Sequence, residues 1–206
     1  MRVLIACEFS GVVRDAFEAR GHYVVSCDLL PAEDAPADYP DGSHRHVQGD
    51  VLRVMDSPDP FWKEGERAPW DLMIAFPPCT HLASSGARWW PSKALEQAAA
   101  VEFVKTLMAA PIARIAIENP IGKLSTAIRK PDQIIQPWLF GHGETKATCF
   151  WLKGLPKLIP TNVVEGREAR VHRASPGPDR WKDRSRTLPG IAEAMADQWG
   201  FFDVAA

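Results

Sequence analysis

A cysteine stands directly after two prolines at the end of an apolar run, in the stretch IAFPPCTHL over residues 74–82. Proline fixes φ and carries no backbone N–H, so the predicted strand must stop there and the Cys79 thiol lies on a rigid corner. A nucleophile needs such fixed placement more than a core side chain does. Thr80 and His81 add polar groups beside the thiol. The pattern predicts a nucleophilic Cys79, whereas the other three cysteines lie within apolar runs and suit buried positions.

A glutamate closes another apolar run, RIAIENP, over residues 114–120. If this run is the neighbouring strand of a parallel sheet, Glu118 faces the same cleft as Cys79. Burial raises the pKa of a carboxyl group, so Glu118 could be protonated there and donate a hydrogen bond. The alternative is a strand-end carboxylate that pairs with an arginine.

Polar residues also follow the first three apolar runs, in CEFSG, SCDLL and GDV. Ligands of open α/β sheets bind outside the carboxyl ends of the strands, so these ends together outline a cleft. Asp28 suits hydrogen bonds from a ribose, and Asp50 suits those from an exocyclic amine. Neither the G-x-G-x-x-G fingerprint nor a P-loop occurs. The alternative is that Ser10 and Asp28 only cap a helix or form a turn.

The elements that position these residues alternate between strand and helix. Strands are predicted over residues 3–8, 23–30, 44–51, 70–78, 114–120 and 148–154, and helices over 10–21, 92–110 and 189–199. Such alternation predicts an α/β fold with a mostly parallel sheet and helices on both faces. The polar, basic stretch 159–187 lacks periodicity, and we expect a long functional loop there within one domain over 1–206.

Composition excludes several classes of protein. The 206 residues are 46% hydrophobic and 24% charged with a formal net charge of -2, so any basic surface must be local. The cysteines form no C-x-x-C pair and no zinc-type cluster, which predicts reduced thiols and no metal. The first apolar run is too short for a signal peptide or a membrane span, and no later stretch is long enough to span a bilayer. We therefore expect a cytoplasmic protein.

Pro77-Pro78-Cys79 followed by Glu118-Asn119-Pro120 resembles the DNA (cytosine-5) methyltransferases, whose Pro-Cys motif carries the nucleophile and whose Glu-Asn motif contacts the target base. EFSG resembles their first motif, GDV the motif at the adenine of the cofactor, and RTLPGIAEAMADQWG their last motif. The matches run in order through residues 3–154 and again through 184–200, and the short chain looks most like small phage-type members. The resemblance implies a Rossmann-like methyltransferase fold, DNA as partner, and a bacterial or phage-infected host cell.

The resemblance also implies site residues. Cys79 and Glu118 would be catalytic. S-adenosylmethionine, with S-adenosylhomocysteine as product, would be held by Glu8, Phe9, Ser10, Gly11, Asp28, Asp50, Val51 and Pro77. DNA would meet Pro78, Thr80, His81, Arg88, Asn119, Lys146, Thr148, Arg180, Arg184 and Arg186. Cys79 would add to carbon 6 of a cytosine extruded from the stack, while protonated Glu118 would hydrogen-bond ring N3.

The chain departs from the family in three places. Pro120 replaces the usual valine, and ETKATCFWL replaces the usual Gln-x-Arg-x-Arg strand, so that Lys146 and Thr148 stand where arginines are usual. The large target-recognition domain is missing, and only the 159–187 loop occupies its place. We therefore expect relaxed or short-site specificity, because few side chains remain to read base edges.

Two stretches could contact DNA. THLASSGARWWPSK suits a mobile loop, with Arg88 and Lys93 at phosphates and a tryptophan stacked on a base, although Trp89 and Trp90 could equally pack under the next helix. The late loop has basic residues around Trp181, namely Arg167, Arg170, His172, Arg173, Arg180, Lys182, Arg184 and Arg186. The acids Glu165, Glu168, Asp179 and Asp183 partly offset them, so a salt-bridged, solvated loop is the alternative.

Two other functions stay open from the sequence. A free cytidine nucleotide could be the substrate, which the missing recognition domain favours and the basic loop disfavours. The other is a binding protein, either an inactive relative that occupies DNA or a subunit that needs a partner for recognition. Retention of Cys79 and Glu118 argues against the inactive relative but not against a required partner. A monomer is expected.

Overall fold

Within the described residues, seven strands form one sheet in the order β3-β2-β1-β4-β5-β7-β6. The computed structural model describes residues 1–33, 45–56, 69–173, 177 and 180–201. The strands are β1 (Arg2–Ala6), β2 (Tyr23–Asp28), β3 (His46–Gln48), β4 (Leu72–Ala75), β5 (Arg114–Pro120), β6 (Gln133–Ile135) and β7 (Thr148–Lys153). The first five pair in parallel, whereas β7 runs antiparallel to both β5 and β6. The predicted mostly parallel α/β sheet is confirmed.

Helices pack on both faces of this sheet, as predicted. The helices of the described residues are α1 (Val12–Glu18), α2 (Val51–Asp56), α3 (Ala94–Met108), α4 (Leu124–Ala127), α5 (Arg170–Arg173), α6 (Arg180–Ser185) and α7 (Pro189–Trp199), with 3₁₀ segments at Ser84–Lys93 and Pro137–Leu139. Alternate residues of a strand point to opposite faces. Val3 and Ile5 of β1 therefore join the core under α1 and α7, while Leu4 and Ala6 join the core under α2 and α3.

Several predicted boundaries were wrong. The strand predicted over 3–8 ends at Ala6, and Cys7 follows it with a φ of 59°, a left-handed conformation that breaks a strand. The strand predicted over 44–51 ends at Gln48, since Val51 begins α2. The short strand β6 carries three residues, too few for its periodicity to show in the sequence.

The stretch 159–187 is not structureless. It contains α5 and α6, and isolated bridges pair Asn162 with Phe140 and Glu168 with Glu144. Asp179 and the side chains of His172 and Asp183 lie outside the described residues. In the part of the chain that is described, no helix is both long and apolar enough to span a membrane.

Candidate active site

The Pro-Pro-Cys turn, residues 77–79, projects Cys79 from the carboxyl end of β4. Pro77 is buried, and both Pro78 and Cys79 are exposed. The carbonyl oxygen of Cys79 accepts hydrogen bonds from the amides of Leu82 and Ala83, at 3.0 and 2.9 Å, which closes the turn behind the thiol. The structure thus places Cys79 on a held, solvent-facing corner.

The next strand in the sheet supports this turn. Ala75 of β4 pairs with Ile117 of β5, so Glu118 and Asn119 extend just beyond the end of β4. The side-chain amide nitrogen of buried Asn119 donates to the carbonyl oxygen of Pro77 at 2.9 Å. Asn119, predicted to contact the substrate, therefore anchors the Pro-Pro-Cys turn through its nitrogen. Its Oδ1 is buried with no hydrogen-bond partner among the described residues.

Charge around the thiol is divided between one acid and two bases. Protein atoms around the Cys79 thiol keep part of the water away from it, and this desolvation raises its pKa. The negative charge of Glu118 raises the pKa further, while Lys146 and Arg184 lower it. Burial also raises the pKa of Glu118, against a smaller opposing effect of Lys146. A protonated Glu118 no longer repels a thiolate, so the neutral acid and the charged nucleophile favour each other.

A small pocket lies beside Glu118, between the ends of the strands and α7. It is lined by Phe76, Glu118, Lys146, Thr148, Phe150, Thr187, Leu188, Ile191 and Met195. Lys146 Nζ donates to the carbonyl oxygen of Arg186 at 3.0 Å, which holds its charge near Glu118. Thr148 is buried, and its hydroxyl donates to the carbonyl oxygen of Lys146 at 3.1 Å. Lys146 and Thr148, which the resemblance places at DNA, therefore both line this pocket.

A second turn, after β5, is joined to the turn that follows Cys79. The amide of Ser84 donates to the carbonyl oxygen of Ile121 at 2.9 Å, and the amide of Lys123 donates to that of Leu82 at 2.8 Å. Gly122 lies between these bonds, where a Cβ atom would stand 2.0 Å from the carbonyl oxygen of Leu82. Gly122 is a site residue that the sequence reasoning missed, although a glycine two residues after Pro120 was a visible turn signal.

Replacing Gly122 with alanine is expected to lower the free energy of unfolding by about 1–3 kcal/mol, because the backbone of Leu82 must move. Urea unfolding followed by circular dichroism measures the change. Gly86→Ala is the matched control, since its Cβ would lie 3.8 Å from its nearest neighbour, the carbonyl oxygen of Thr80. Equal stability of the two variants would contradict the tight contact.

The segment expected to be a mobile loop forms the 3₁₀ turn Ser84–Lys93 and continues directly into α3. Trp89 is 56% exposed, and the Arg88 guanidinium lies 5.0 Å from the centroid of its ring. Trp90 is half-buried, with Lys123 Nζ 5.7 Å from its ring centroid. Trp89 is therefore available to stack on a ligand. Trp90 instead packs against the protein, which is the alternative that the sequence left open.

Thr80 and His81 follow the nucleophile directly. Thr80 is exposed, whereas His81 is half-buried and its carbonyl oxygen accepts from Gln97 Nε2 at 2.9 Å. This bond fastens the start of the segment to α3.

The end of β1 is built around a buried carboxyl group. Glu8 accepts hydrogen bonds from the amides of Val13 and Arg14, at 2.7 and 3.3 Å, and from the Ser10 hydroxyl at 3.3 Å. Gly11, with a φ of 76°, stands at the N-cap position without a side-chain bond. Ser10 is therefore not the helix cap considered from the sequence, and Glu8 serves α1 instead. Burial raises the pKa of Glu8 to about 7 despite these bonds.

The raised pKa of Glu8 makes stability depend on pH. Its ordinary pKa is 4.5 and its folded pKa about 7, so between these values the folded state binds more protons than the unfolded state. The free energy of unfolding should fall by up to about 3 kcal/mol from this group as pH rises through that window. In Glu8→Gln the fall should be absent, as measured by urea unfolding at several pH values.

The control for this variant is Glu102→Gln, which removes an exposed carboxylate paired with Lys105. It should keep the wild-type slope of stability against pH. A Glu8→Gln protein with that same slope would show that Glu8 titrates normally in the folded state.

Asp28, Asp50 and Val51 lie at the ends of β2 and β3. Asp28 Oδ1 accepts from the amide of Leu30 at 2.9 Å, and burial raises the pKa of Asp28. Asp50 Oδ1 accepts from the amide of Leu52 at 3.0 Å at the start of α2, and Val51 is buried in the core. Asp28 thus forms a turn, as its alternative predicted, and Asp50 bonds the start of α2. Each carboxylate has acceptor sites beyond these bonds.

The basic residues of the late segment are partly paired. Arg186 makes a bidentate ion pair with Glu33, and Arg170 Nε lies 2.9 Å from Glu144 Oε1. The Arg167 guanidinium lies 3.9 Å from the ring centroid of Trp138. These contacts agree with the salt-bridged alternative. Arg180 and Arg184 are half-buried, and Arg184 is the one whose charge reaches Cys79. Among the described residues, no group of three or more metal-ligating side chains could hold an ion.

A scan against protein-family models and a search of curated proteins found no match. Solved structures do match. One is described as a DNA modification methyltransferase encoded within a prophage of E. coli, with 14% identity and a TM-score of 0.48, over 85% of this chain and 55% of that one. Another is the S. pombe Dnmt2 methyltransferase, with 14% identity and a TM-score of 0.44, over 83% of this chain and 53% of that one. This chain thus spans about half the length of either structure, and at such identity the likeness concerns the fold alone.

Proposed function

We propose that the protein transfers a methyl group from S-adenosylmethionine to carbon 5 of cytosine in DNA. One observation carries this proposal: an exposed thiol on a supported turn stands beside a carboxyl group whose pKa is raised. Asn119 holds the turn through the carbonyl oxygen of Pro77, and the charge of Glu118 acts on the Cys79 thiol. A nucleophile next to a neutral acid is the pair that addition to a pyrimidine ring requires.

Cys79 and Glu118 supply the two halves of the activation step. Carbon 5 of cytosine is too weakly nucleophilic to take a methyl group directly. The Cys79 thiolate, its proton lost to solvent, forms an S–C bond to carbon 6, and the electron pair of the 5,6 double bond moves toward carbon 5 and ring N3. Protonated Glu118 donates to N3 and offsets the charge that grows there. The positive charge of Lys146 lowers the pKa of Glu118 and favours its ionised form, but the opposing effect of burial is larger.

S-adenosylmethionine, when bound, supplies the methyl group that becomes attached to carbon 5. Loss of the carbon-5 proton to water then restores the double bond and expels Cys79 as thiolate, while the proton shared at N3 returns to Glu118. The protein's own residues therefore hold the Cys79 thiolate, the neutral Glu118 and the extruded cytosine in the correct relative positions.

The residues at the ends of the first three strands fit this cofactor. Asp28 and Asp50 have carboxylate acceptor sites free for hydroxyl and amine donors, beyond those used by Leu30 and Leu52. Phe9 places an aromatic ring at the end of β1. The buried bonds of Glu8 to α1 hold that turn in shape.

DNA is supported as substrate by the segment that follows Cys79 in the chain. The exposed ring of Trp89 with the Arg88 guanidinium over it combines a stacking surface with a cation. The cytosine must leave the base stack to reach Cys79, because its ring face is covered in a duplex. We keep the expectation of relaxed specificity, and strict recognition of a long site by the isolated chain would contradict it.

The test is a product analysis. Purified protein is incubated with methyl-labelled S-adenosylmethionine and mixed-sequence DNA, and the digested nucleosides are identified by mass spectrometry. We expect 5-methyldeoxycytidine. Labelled N4-methyldeoxycytidine or N6-methyldeoxyadenosine would overturn carbon-5 chemistry, and transfer to free dCMP but not to DNA would replace the substrate.

A further inference from the structure

Ile121 is a large apolar side chain that stays exposed at the active-site end of the sheet. It comes directly after β5, three residues beyond Glu118, and is 48% exposed. By contrast, Ile115 and Ile117 of the same strand are buried. Single exposed apolar side chains are common on protein surfaces, so the exposure of Ile121 gains meaning from its position, its support and its neighbours.

The backbone around Ile121 is held on both sides. Its carbonyl oxygen accepts a hydrogen bond from the amide of Ser84 at 2.9 Å, and the amide of Lys123 donates to the carbonyl oxygen of Leu82 at 2.8 Å. Leu124, the first residue of α4, is fully buried in the core. Because Leu82 and Ser84 belong to the chain that follows the nucleophile, these bonds fix the position of Ile121 relative to the reacting thiol.

The charge around this turn is positive. Residues 119–131 contain no aspartate or glutamate. Arg129 is paired with Asp132, whereas the half-buried Lys123 has no carboxylate partner among the described residues. The Lys123 ammonium lies 5.7 Å from the ring centroid of Trp90. An uncompensated cation therefore stands two residues after Ile121, and phosphate groups attract such a charge.

An apolar side chain next to a cation is the combination that enters a base stack. The apolar group fills space between bases, while a neighbouring lysine or arginine contacts a phosphate. An extruded cytosine leaves a gap in the duplex, and the lost stacking has to be offset. The β-branched side chain of Ile121 is stiff, so it loses little freedom when it is inserted. Trp89, which is also exposed, belongs to a 3₁₀ segment in which no residue is buried, so its position is less firmly held.

We propose that Ile121 fills the space that the extruded cytosine leaves in the duplex, and that Lys123 binds an adjacent phosphate. The inference rests on the proposed function and adds a DNA-contacting element to it, the turn of residues 121–123. Neither residue was among the DNA contacts that the resemblance implied. Since isoleucine has no hydrogen-bonding group, this contact assists extrusion without reading the edges of the neighbouring bases.

The test compares two duplexes that carry one cytosine, chosen among those that the wild type methylates. In the first duplex the cytosine is paired with guanine, and in the second it lies opposite an abasic site, where extrusion costs less. Ile121→Ala should lower the single-turnover methylation rate about 5- to 20-fold on the first duplex and less than about 2-fold on the second. Ile121→Leu should keep most of the rate, because it keeps the apolar volume.

Ile134→Ala is the matched control, because Ile134 is 53% exposed and lies on β6, at the edge of the sheet. This variant should methylate both duplexes like the wild type. Thermal unfolding of each variant reports whether the fold is kept. If Ile121 served the fold alone, its replacement would lower the rate equally on the two duplexes.

Lys123→Gln tests the phosphate contact through its salt dependence. The logarithm of the DNA association constant falls with the logarithm of salt concentration, and this slope should become shallower by about one in the variant. Lys157→Gln, which removes an exposed lysine from the chain after β7, should keep the wild-type slope. A wild-type slope in Lys123→Gln would overturn the contact of this turn with DNA.

The outcomes separate the two proposals. A wild-type protein that forms no 5-methyldeoxycytidine in any DNA overturns the proposed function itself. A wild type that methylates both duplexes, with equal losses for the two in Ile121→Ala or with no loss, overturns the insertion of Ile121 while leaving the proposed function intact.

Discussion

Replacing Cys79 with serine is expected to lower the rate of methyl transfer to DNA by at least about 10³-fold, because a hydroxyl stays protonated at neutral pH and adds poorly to a ring carbon. The change removes one sulfur atom from an exposed position, so the fold should be unaffected. Binding of S-adenosylmethionine, measured by calorimetry, should match that of the wild type. Ser85→Ala, an exposed change close to the same turn, should keep full activity.

A substrate analogue makes the role of Cys79 directly visible. DNA that contains 5-fluorocytosine has no carbon-5 proton to lose, so a protein that adds through Cys79 should stay covalently attached after methyl transfer. We expect an attached complex on denaturing gels for the wild type and none for Cys79→Ser. A Cys79→Ser protein that keeps wild-type activity, or a wild type that leaves no complex while methylating ordinary DNA, contradicts the covalent mechanism.

Replacing Glu118 with alanine is expected to reduce kcat by about 10²–10⁴-fold, because ring N3 then loses its proton donor in the transition state. Glu118→Gln should be less damaging, since its amide still donates a hydrogen bond. Single-turnover methylation assays measure both. The loss should appear in kcat, because the hydrogen bond from residue 118 to ring N3 strengthens as charge develops on the ring.

The pH dependence distinguishes an acid from a passive contact. Burial raises the pKa of Glu118, and the group donates only below that pKa, so wild-type kcat should decline as pH rises through it. Glu118→Gln does not titrate, and its rate should reach a plateau at alkaline pH as the Cys79 thiol ionises. Glu144→Gln, which alters a carboxylate paired with Arg170, should retain the wild-type profile. An alkaline decline of the same shape in Glu118→Gln would show that another group causes it.

The two active-site pKa values depend on one another. A charged Glu118 raises the pKa of Cys79, and a neutral Glu118 removes that repulsion. Lys146 acts on both groups, and Arg184 acts on Cys79, so the basic side chains from the segment before β7 and from the late segment favour the thiolate form. Activation of this nucleophile is therefore expected to come from neighbouring charges, since Cys79 lies on a turn and not at a helix N-terminus.

Features of the fold with a local cause were predicted from the sequence, whereas features that depend on distant contacts were not. The two prolines before Cys79 act on the neighbouring backbone alone, and the corner that they predict is present. Hydrophobic runs are also local features of the sequence, and they predicted most of the strands and the helices on the two faces of the sheet. Strand β6 was missed because three residues carry no period, and its place at the sheet edge depends on pairing with β7.

Glu8 shows why a residue type alone was insufficient. The resemblance implied cofactor binding for Glu8, and Ser10 was a candidate helix cap. The fold turns the Glu8 carboxyl inward onto the amides of Val13 and Arg14, a contact that its residue type did not predict. The left-handed conformation of Gly11 occupies the cap position, and this depends on how the chain leaves β1.

By itself, the sequence of this protein determined a mostly parallel α/β fold, the polar residues that follow its strands, and the chemistry that a cysteine and a glutamate there could perform. Only the tertiary structure decided which groups meet. Asn119 reaches Pro77 across 42 residues, and Arg186 reaches Glu33 across 153 residues. No local pattern encodes such contacts, because they exist only when distant segments pack together. They turn a thiol on a corner into a supported site and place Trp181 over Phe9.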